Sequence, residues 1–269
     1  MNRGVVIKAA RETWGATLLF GVTLLVIEGA MSFALPRFAA QLSEQWMQLK
    51  FLQGIIKAMV GADLAGGIGP EIFGTIPWVH PVVLAVVWAH AIVFCTRVPA
   101  GEVDRGTADV LYALPVSRWE LHFSETAAWV MSAAVVLGLA AAGNAIGSGM
   151  AGAAWHAARV AIVLVNLAAL YLAVGAFAWL MSALSDRRGR AMTTAFVVVV
   201  ASFLLNYLGQ FWTLLERVAW MSLLRYYRPL AALNDGTWAW RDVAVLMGLA
   251  TATWVAAGVV SAKRDLSTT

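Results

Sequence analysis

Six long apolar stretches constrain the fold of this sequence more than any other feature. A helix that crosses the hydrocarbon core of a bilayer needs about 20 mostly apolar residues. We predict transmembrane helices at residues 14–35, 77–98, 126–150, 157–184, 191–212 and 243–262. Of the 269 residues, 61% are hydrophobic and 13% are charged, and a water-soluble core cannot bury such an apolar excess. The sequence therefore predicts an all-α integral membrane protein with a single transmembrane domain over residues 1–269.

The basic residues lie in connections between the apolar stretches, and the net charge is only +4. A nucleic-acid partner would need a basic stripe along the phosphate backbone, so we exclude that class of partner. Cys95 is the single cysteine and cannot form an internal disulfide. His80 and His90 do not share a helix face, and a zinc site needs about four ligands, so we expect no metal or haem site.

Arginine and lysine also indicate orientation, because short cytoplasmic loops carry an excess of them. Basic residues lie near the N-terminus, in the second-to-third connection at Arg97, Arg105 and Arg118, in the connection at 185–190, and at Lys263 and Arg264. We therefore place both termini in the cytoplasm, together with these two connections.

Three segments outside the spans have patterns of their own. Residues 38–59 have apolar side chains every three or four positions and predict an amphipathic helix on the outer surface. Residues 3–12 predict a short N-terminal helix along the inner surface, although a plain positively charged flank explains them too. Residues 213–242 predict a re-entrant or surface segment that ends in a turn.

The connection between the second and third spans is the most informative segment. Gly106 permits a tight turn, Thr107 is placed to cap a following helix, and Asp109 lies where the positive end of that helix favours an anion. Pro115 disfavours helix at the residue before it, so the helix is short. We predict a cytosolic helix–turn–helix, called the elbow below and defined as residues 102–118.

A second helix begins directly after this short one. Ser117 and Glu120 have the spacing of a capping box, and the helix they start runs into the third span. The short helix offers Val110, Leu111 and Tyr112 to a partner. A simpler alternative is that the glycine, proline and serine of the elbow only shape a turn.

The elbow resembles the cytosolic loop of type-2 ABC exporter permeases. The residues that match that loop are Glu102, Gly106, Thr107, Asp109, Leu111, Pro115, Ser117 and Arg118. The ending Lys263-Arg264-Asp265-Leu266 is similar to that of many such permeases, and six spans with both ends inside fit the same architecture.

The resemblance implies that the elbow is a coupling helix in a groove on a separate ATPase subunit. The residues implied to contact that subunit are Glu102, Arg105, Gly106, Thr107, Asp109, Val110, Leu111, Tyr112, Pro115, Ser117 and Arg118. It further implies two ATPase copies, a second permease chain that is either a copy of this one or a relative of it, surrounding membrane lipids, and a bacterial or archaeal plasma membrane. ATP and Mg²⁺ would be bound by the partner, with no cofactor in this chain.

The positions of the lysines are consistent with ATP being bound by a separate subunit. A P-loop needs Gly-Lys-Ser or Gly-Lys-Thr, and none of Lys8, Lys50, Lys57 and Lys263 follows a glycine. We therefore expect this chain not to be an enzyme, and a motor to reside in another polypeptide.

Polar residues within the spans are candidates for a substrate pathway: Glu28, Asn144, Asn166 and Asn206. Glu28 is expected to face the bundle interior, where it contacts a polar or cationic substrate or pairs with an arginine, or to reach the outer interface. For the asparagines, hydrogen bonding between helices is the simpler interpretation. Gly143 and Gly147 have the spacing that permits close helix packing.

Three functions remain open at this point. An exporter permease is favoured by the elbow and the missing P-loop. An ion-coupled secondary transporter would use Glu28 as its coupling carboxylate. A subunit without transport activity, either an electron carrier or an anchor, is the third.

Overall fold

The computed structural model describes residues 1–41 and 70–264, and these ranges are helical with no strand. The helices are α1 (Arg3–Gln41), α2 (Pro70–Val79), α3 (Pro81–Cys95), α4 (Glu102–Asp104), α5 (Ala108–Tyr112), α6 (Arg118–Ala151), α7 (Ala157–Ala183), α8 (Arg188–Leu208), α9 (Thr213–Glu216), α10 (Pro229–Asp235) and α11 (Trp240–Lys263). Short irregular helical turns occupy Arg97–Gly101, Ala219–Met221 and Leu223–Tyr226. Nearly all of the predicted outer amphipathic helix at 38–59 lies outside the described residues.

The described residues contain six candidate membrane spans, one for each predicted stretch. They are formed by α1, by α2 with α3, and by α6, α7, α8 and α11. α7 lies at the centre and packs against α3, α8, α10 and α11, whereas α6 packs along α1. α1, α8 and α11 expose much of their apolar surface, as expected of helices that face lipid.

α1 joins two elements that the sequence analysis treated separately. The N-terminal interfacial helix and the first span form one helix without a break, and the helix also continues through Pro36. Val5 and Ala9 are buried, so the first turns pack against the bundle instead of lying free on a surface. Burial of this face explains why the chain does not bend before the span.

The second span, by contrast, is broken. α2 ends at Val79 and α3 begins at Pro81, because proline disfavours helix at the residue before it. His80 caps α3, since its Nδ1 accepts a hydrogen bond from the Val82 backbone N–H at 3.2 Å. The helix of the third span begins at Arg118, eight residues before the predicted start of that span. Ser117 caps this helix as predicted.

The ends of the spans divide the bundle into two sides. The side that carries the elbow, the elbow side, also carries both ends of the described chain. There Arg264 donates to the carbonyls of Ala183 and Ser185 at 2.7 and 3.0 Å and pairs with Asp186. The opposite side, the far side, carries the end of α1 and the loop after α6, where Arg37 donates to the Met150 carbonyl at 3.1 Å.

Glycines bring α1 and α6 into close contact on the far side. A Cβ atom on Gly143 would overlap the Leu25 carbonyl, and one on Gly147 would overlap the Gly29 carbonyl. A Cβ atom on Gly29 of α1 would likewise lie only 3.3 Å from the Gly143 carbonyl oxygen of α6. The predicted small-residue packing is therefore confirmed, and α1 is the partner helix.

This contact predicts a stability effect for Gly147→Ala. The added methyl has no space, so we expect the free energy of unfolding to fall by about 1–3 kcal/mol. Thermal unfolding of the purified chain in detergent measures the change. Gly138→Ala on the same helix is the control, because nothing lies within 4 Å of its Cβ position. Equal melting temperatures for the two variants would contradict the packing described.

Candidate functional site

The elbow is anchored to the bundle by a small apolar cluster. Leu111 of α5 is 3% exposed and packs with Val5 of α1, with Val98, and with Leu121 of α6. Gly106 has φ +69°, which confirms the predicted tight turn between α4 and α5. The elbow therefore packs as a short arm against the ends of α1 and α6.

Glu102 is the polar centre of the elbow. Its carboxylate accepts hydrogen bonds from the Thr107 hydroxyl, from Arg105 at 2.9 Å and from Lys8 of α1 at 3.4 Å. Burial raises the pKa of Glu102, but the Thr107 hydrogen bond and the charges of Lys8 and Arg105 outweigh it, so the pKa lies below its ordinary value. The carboxylate thus connects Arg105 and Thr107 of the elbow to Lys8 of α1.

Thr107 performs a different task from the one predicted. It occupies the N-cap position of α5, but its side chain makes no capping hydrogen bond. Its hydroxyl donates to the Glu102 carboxylate instead. The hydroxyl proton forms a charge-assisted hydrogen bond to the carboxylate, whereas a cap would require the hydroxyl oxygen to accept from an α5 N–H. Asp109 does lie in the first turn of α5, as expected.

Fewer of the elbow's apolar residues are exposed to a partner than the sequence indicated. Val110 is 72% exposed, whereas Leu111 is turned inward. Tyr112 is half-buried, with the Arg118 guanidinium 3.9 Å from the centre of its ring. Gly106, Asp109, Pro115 and Ser117 are exposed around Val110. The exposed surface of the elbow therefore contains the apolar side chains of Val110 and Leu114, at 72% and 42% exposure, and the polar side chains of Asp109 and Ser117.

Arg97 holds the helices beneath the elbow together. It is 5% exposed and donates to Glu12 of α1 and Glu125 of α6. Lys8 also pairs with Glu12, at 2.8 Å. In the sequence, Arg97 counts only as a basic residue that indicates topology, and Glu125, just before the predicted third span, is the available hint of a partner.

A cavity of about 710 Å³ opens between this ion-pair network and the elbow. Its walls come from α1, α3, the elbow and Arg188, and it extends to His90. Such a volume is typical of small-molecule sites. The elbow therefore forms one wall of a space that enters the bundle from the elbow side.

His90 belongs to a buried chain of hydrogen bonds that the sequence analysis missed. Its Nδ1 lies 2.9 Å from the Tyr171 hydroxyl and its Nε2 lies 3.0 Å from the Ser132 hydroxyl. Ser132 lies 2.8 Å from the Thr17 hydroxyl, and Trp129 donates to Tyr171 at 2.8 Å. Four spanning helices are linked in this way. No cluster of three or more metal-ligating side chains occurs among the residues that the structure describes.

The candidate pathway residues do not form one site. Asn166 donates to the Tyr226 carbonyl and accepts from the Arg228 backbone N–H, both at 3.0 Å, so it holds the segment before α10 against α7. Asn206 is half-buried on α8.

Glu28 and Asn144 lie together on the far side. Glu28 is fully buried and does not reach the surface, and no ion pair joins it to a basic residue within 1–41 and 70–264. Asn144 donates to the Ser32 hydroxyl at 2.8 Å and accepts from Trp155 at 3.1 Å.

The family model of the ABC-2 family transporter protein matches residues 7–262. The chain belongs to the ABC-2 transporter family. No curated protein and no solved structure matches it significantly. As an ABC-2 permease, the chain is a multi-pass membrane subunit for transport, and the family implies an ABC ATP-binding subunit as its partner.

The ion pairs of the permease predict a large effect of Arg97→Met. The substitution leaves Glu125 buried without its cation, so we expect the free energy of unfolding to fall by about 3–5 kcal/mol. The double variant Arg97→Met/Glu125→Gln should recover part of that loss. Arg105→Met, at a half-exposed arginine, should cost about 0–1 kcal/mol. Chemical unfolding in detergent measures all three, and an equal loss for both arginines would contradict the assignment.

The depressed pKa of Glu102 predicts a loosening of the elbow in acid. A carboxyl whose pKa is lower when folded stabilises the fold above its unfolded pKa, and this stabilisation disappears as the pH falls through the folded pKa. Hydrogen exchange at 102–112, corrected for intrinsic rates, should therefore become faster below the ordinary value of 4.5. Glu102→Gln should exchange fast already at neutral pH, whereas Asp104→Asn should keep the response. Acid-independent exchange in the unmodified chain would contradict this account.

Proposed function

We propose that this chain is the membrane-spanning subunit of an ATP-driven exporter and that its elbow docks in a groove on a separate ATPase subunit. The observation that carries the proposal is that one side chain of the elbow anchors it to the bundle while the neighbouring side chain is exposed to water. Leu111 fixes the elbow to α1 and α6, while Val110, called the tip of the elbow below, is 72% exposed and also lines the cavity of about 710 Å³. Exposed Val110 and Leu114, together with the polar side chains of Asp109 and Ser117, form a surface that a complementary pocket can cover.

Force applied at Val110 has a physical route into the bundle. The apolar cluster of Val5 and Leu111 and the hydrogen bond between Lys8 and Glu102 both connect the elbow to α1. Arg97 then connects α1 to α6. A rigid-body shift of the elbow therefore displaces both helices together.

The complete transporter in this proposal contains two permease copies and two ATPase copies. The ATPase subunits bind ATP and Mg²⁺, close on one another and push on the two elbows. The permease contributes different substrate affinities in its two states and no covalent chemistry. In the favoured orientation the termini and the elbow face the cytoplasm, within the plasma membrane of a bacterium or archaeon. Glu28 and Asn144 remain candidates for the substrate pathway.

The family assignment does not favour the alternative of an ion-coupled secondary transporter based on Glu28. A direct test separates the two. If ATP drives transport through the elbow, damage to the elbow tip uncouples the ATPase, whereas an ion-coupled protein needs no ATPase subunit at all.

Val110→Asp is the substitution that tests the elbow. A desolvated charge in the docking pocket should reduce co-purification of the ATP-binding subunit, and its permease-stimulated ATP hydrolysis, by about tenfold or more. Leu184→Asp is the control, because Leu184 is also an exposed apolar residue on the elbow side, at 61% exposure, but lies outside the elbow. Normal co-purification of the Val110→Asp variant, or equal loss for both variants, would contradict the proposal.

A further inference from the structure

We infer that the cavity of about 710 Å³ beside the elbow binds a phosphate group that is attached to an apolar body, and that Arg188 is the cation that receives the phosphate. The inference goes beyond the proposed function and does not depend on docking at the tip of the elbow. It stands on an arginine without a counter-ion, on the charges of the cavity wall and on the apolar surface beside them.

The first observation is that Arg188 has no counter-ion. Its half-buried side chain lines the cavity, and its Nη2 donates to the Val93 carbonyl at 2.9 Å. Its Nε is buried without an acceptor, and no carboxylate forms an ion pair with it in the part of the chain that the structure describes. A guanidinium stays charged when it is partly removed from water, so an anion beside it is stabilising.

The surrounding chain holds the Arg188 side chain in place. A Cβ atom on Gly101 would lie 3.2 Å from the Arg188 Cδ and 3.7 Å from its Nε, so the glycine leaves room for the side chain. The hydrogen bond to Val93 fixes the guanidinium against the end of α3. The cation is therefore positioned before a ligand arrives, which lowers the entropic cost of binding.

The second observation is the balance of charge in the cavity wall. Four cations and two carboxylates line it: Lys8, Arg97, Arg105 and Arg188, and Glu12 and Glu102. Glu102 is paired with Lys8 and Arg105. Glu12 is paired with Lys8 and Arg97, and Arg97 is paired in addition with Glu125 behind the wall. The carboxylates are thus neutralised by the other cations, and the charge of Arg188 is left uncompensated.

Arg188 is also repelled by its basic neighbours. Arg105 and Arg97 lie within electrostatic range of it, and like charges at short range are unfavourable. Asp104 attracts Arg188, but it is exposed and forms no ion pair with it. An anion in the cavity would interact favourably with all three arginines and would compensate this repulsion.

The donors in the wall favour a phosphate over other common anions. Arginine is the side chain that binds phosphate oxygens with paired N–H donors. The Nε atoms of both Arg97 and Arg188 are buried without an acceptor. A phosphate presents several acceptor oxygens in different directions and can serve more than one guanidinium, whereas a cationic head group would be repelled.

The remaining surface of the cavity defines the apolar body. Ala16, Val93, Phe94 and Leu114 provide aliphatic and aromatic walls. The volume lies within the range of about 300–1,000 Å³ that small-molecule sites have. A phosphate ester with an acyl or aromatic group therefore fits both the charged and the apolar parts of the cavity.

Titration of the unmodified full chain with two phosphate esters tests the inference. Phosphatidic acid is added to the chain in detergent and bound lipid is counted by native mass spectrometry, with diacylglycerol as the match that lacks the phosphate. Phenyl phosphate is titrated in parallel by calorimetry, with phenol as its match. We expect at least one ester to bind about tenfold more tightly than its match.

The two titrations also distinguish the source of the phosphate. A preference for phosphatidic acid over diacylglycerol identifies a lipid head group as the occupant. A preference for phenyl phosphate alone identifies a soluble phosphate ester. Either result supports the inference, and a preference for neither ester over its match overturns it.

A matched pair of arginine variants provides an independent measurement. Arg188→Gln should weaken binding of the preferred ester by about tenfold. Arg190→Gln removes an exposed arginine of the same segment that does not line the cavity, and it should leave binding unchanged. Equal affinity of the two variants would overturn the inference. Because no ATPase subunit is present in these experiments, their failure would leave the docking role of the elbow untouched.

Discussion

The buried guanidinium of Arg97 is the interaction on which the elbow side of this bundle depends. A charge with 5% exposure is tolerated only when it is paired, and Glu12 and Glu125 provide the pairing. These partners come from α1 and α6, so the same ion pairs that satisfy Arg97 also fix the two helices relative to the start of the elbow. A single desolvated cation therefore determines the geometry at the point where a partner would apply force.

α1 extends that constraint across the membrane. Lys8 contacts the elbow, and the fully buried Glu28 lies on the same unbroken helix. The rise along the helix between these residues is about 30 Å. Gly143 and Gly147 allow α6 to lie directly against α1 on the far side. A displacement that begins at the elbow is thus carried by two closely packed helices to the far side, which connects the proposed docking surface to the whole length of the bundle.

The sequence predicted the larger features because they rest on local physics. Six spans follow from the length and hydropathy of the apolar stretches, and the turn at Gly106 and the cap at Ser117 follow from backbone chemistry. The break before Pro81 was also within reach, since proline constrains the residue that precedes it.

The remaining features depend on tertiary contacts. No spacing in the sequence indicates that Thr107 donates to Glu102 or that Arg97 joins Glu12 to Glu125. The inward direction of Leu111 could not be read either, because a helix of five residues is too short to show a periodic apolar face. The continuity of α1 is set by burial of its first turns, which composition alone does not reveal.

The central claim is that the tip of the elbow is gripped by an ATP-binding subunit. Site-specific photo-crosslinking tests it most directly, with a benzoylphenylalanine introduced at position 110 and, in a second preparation, at position 184. Both positions are exposed and lie on the elbow side. The account predicts a covalent adduct between the ATP-binding subunit and position 110 and no comparable adduct from position 184. An adduct from position 184 alone, or none from position 110 in an assembled, ATP-hydrolysing complex, would contradict it.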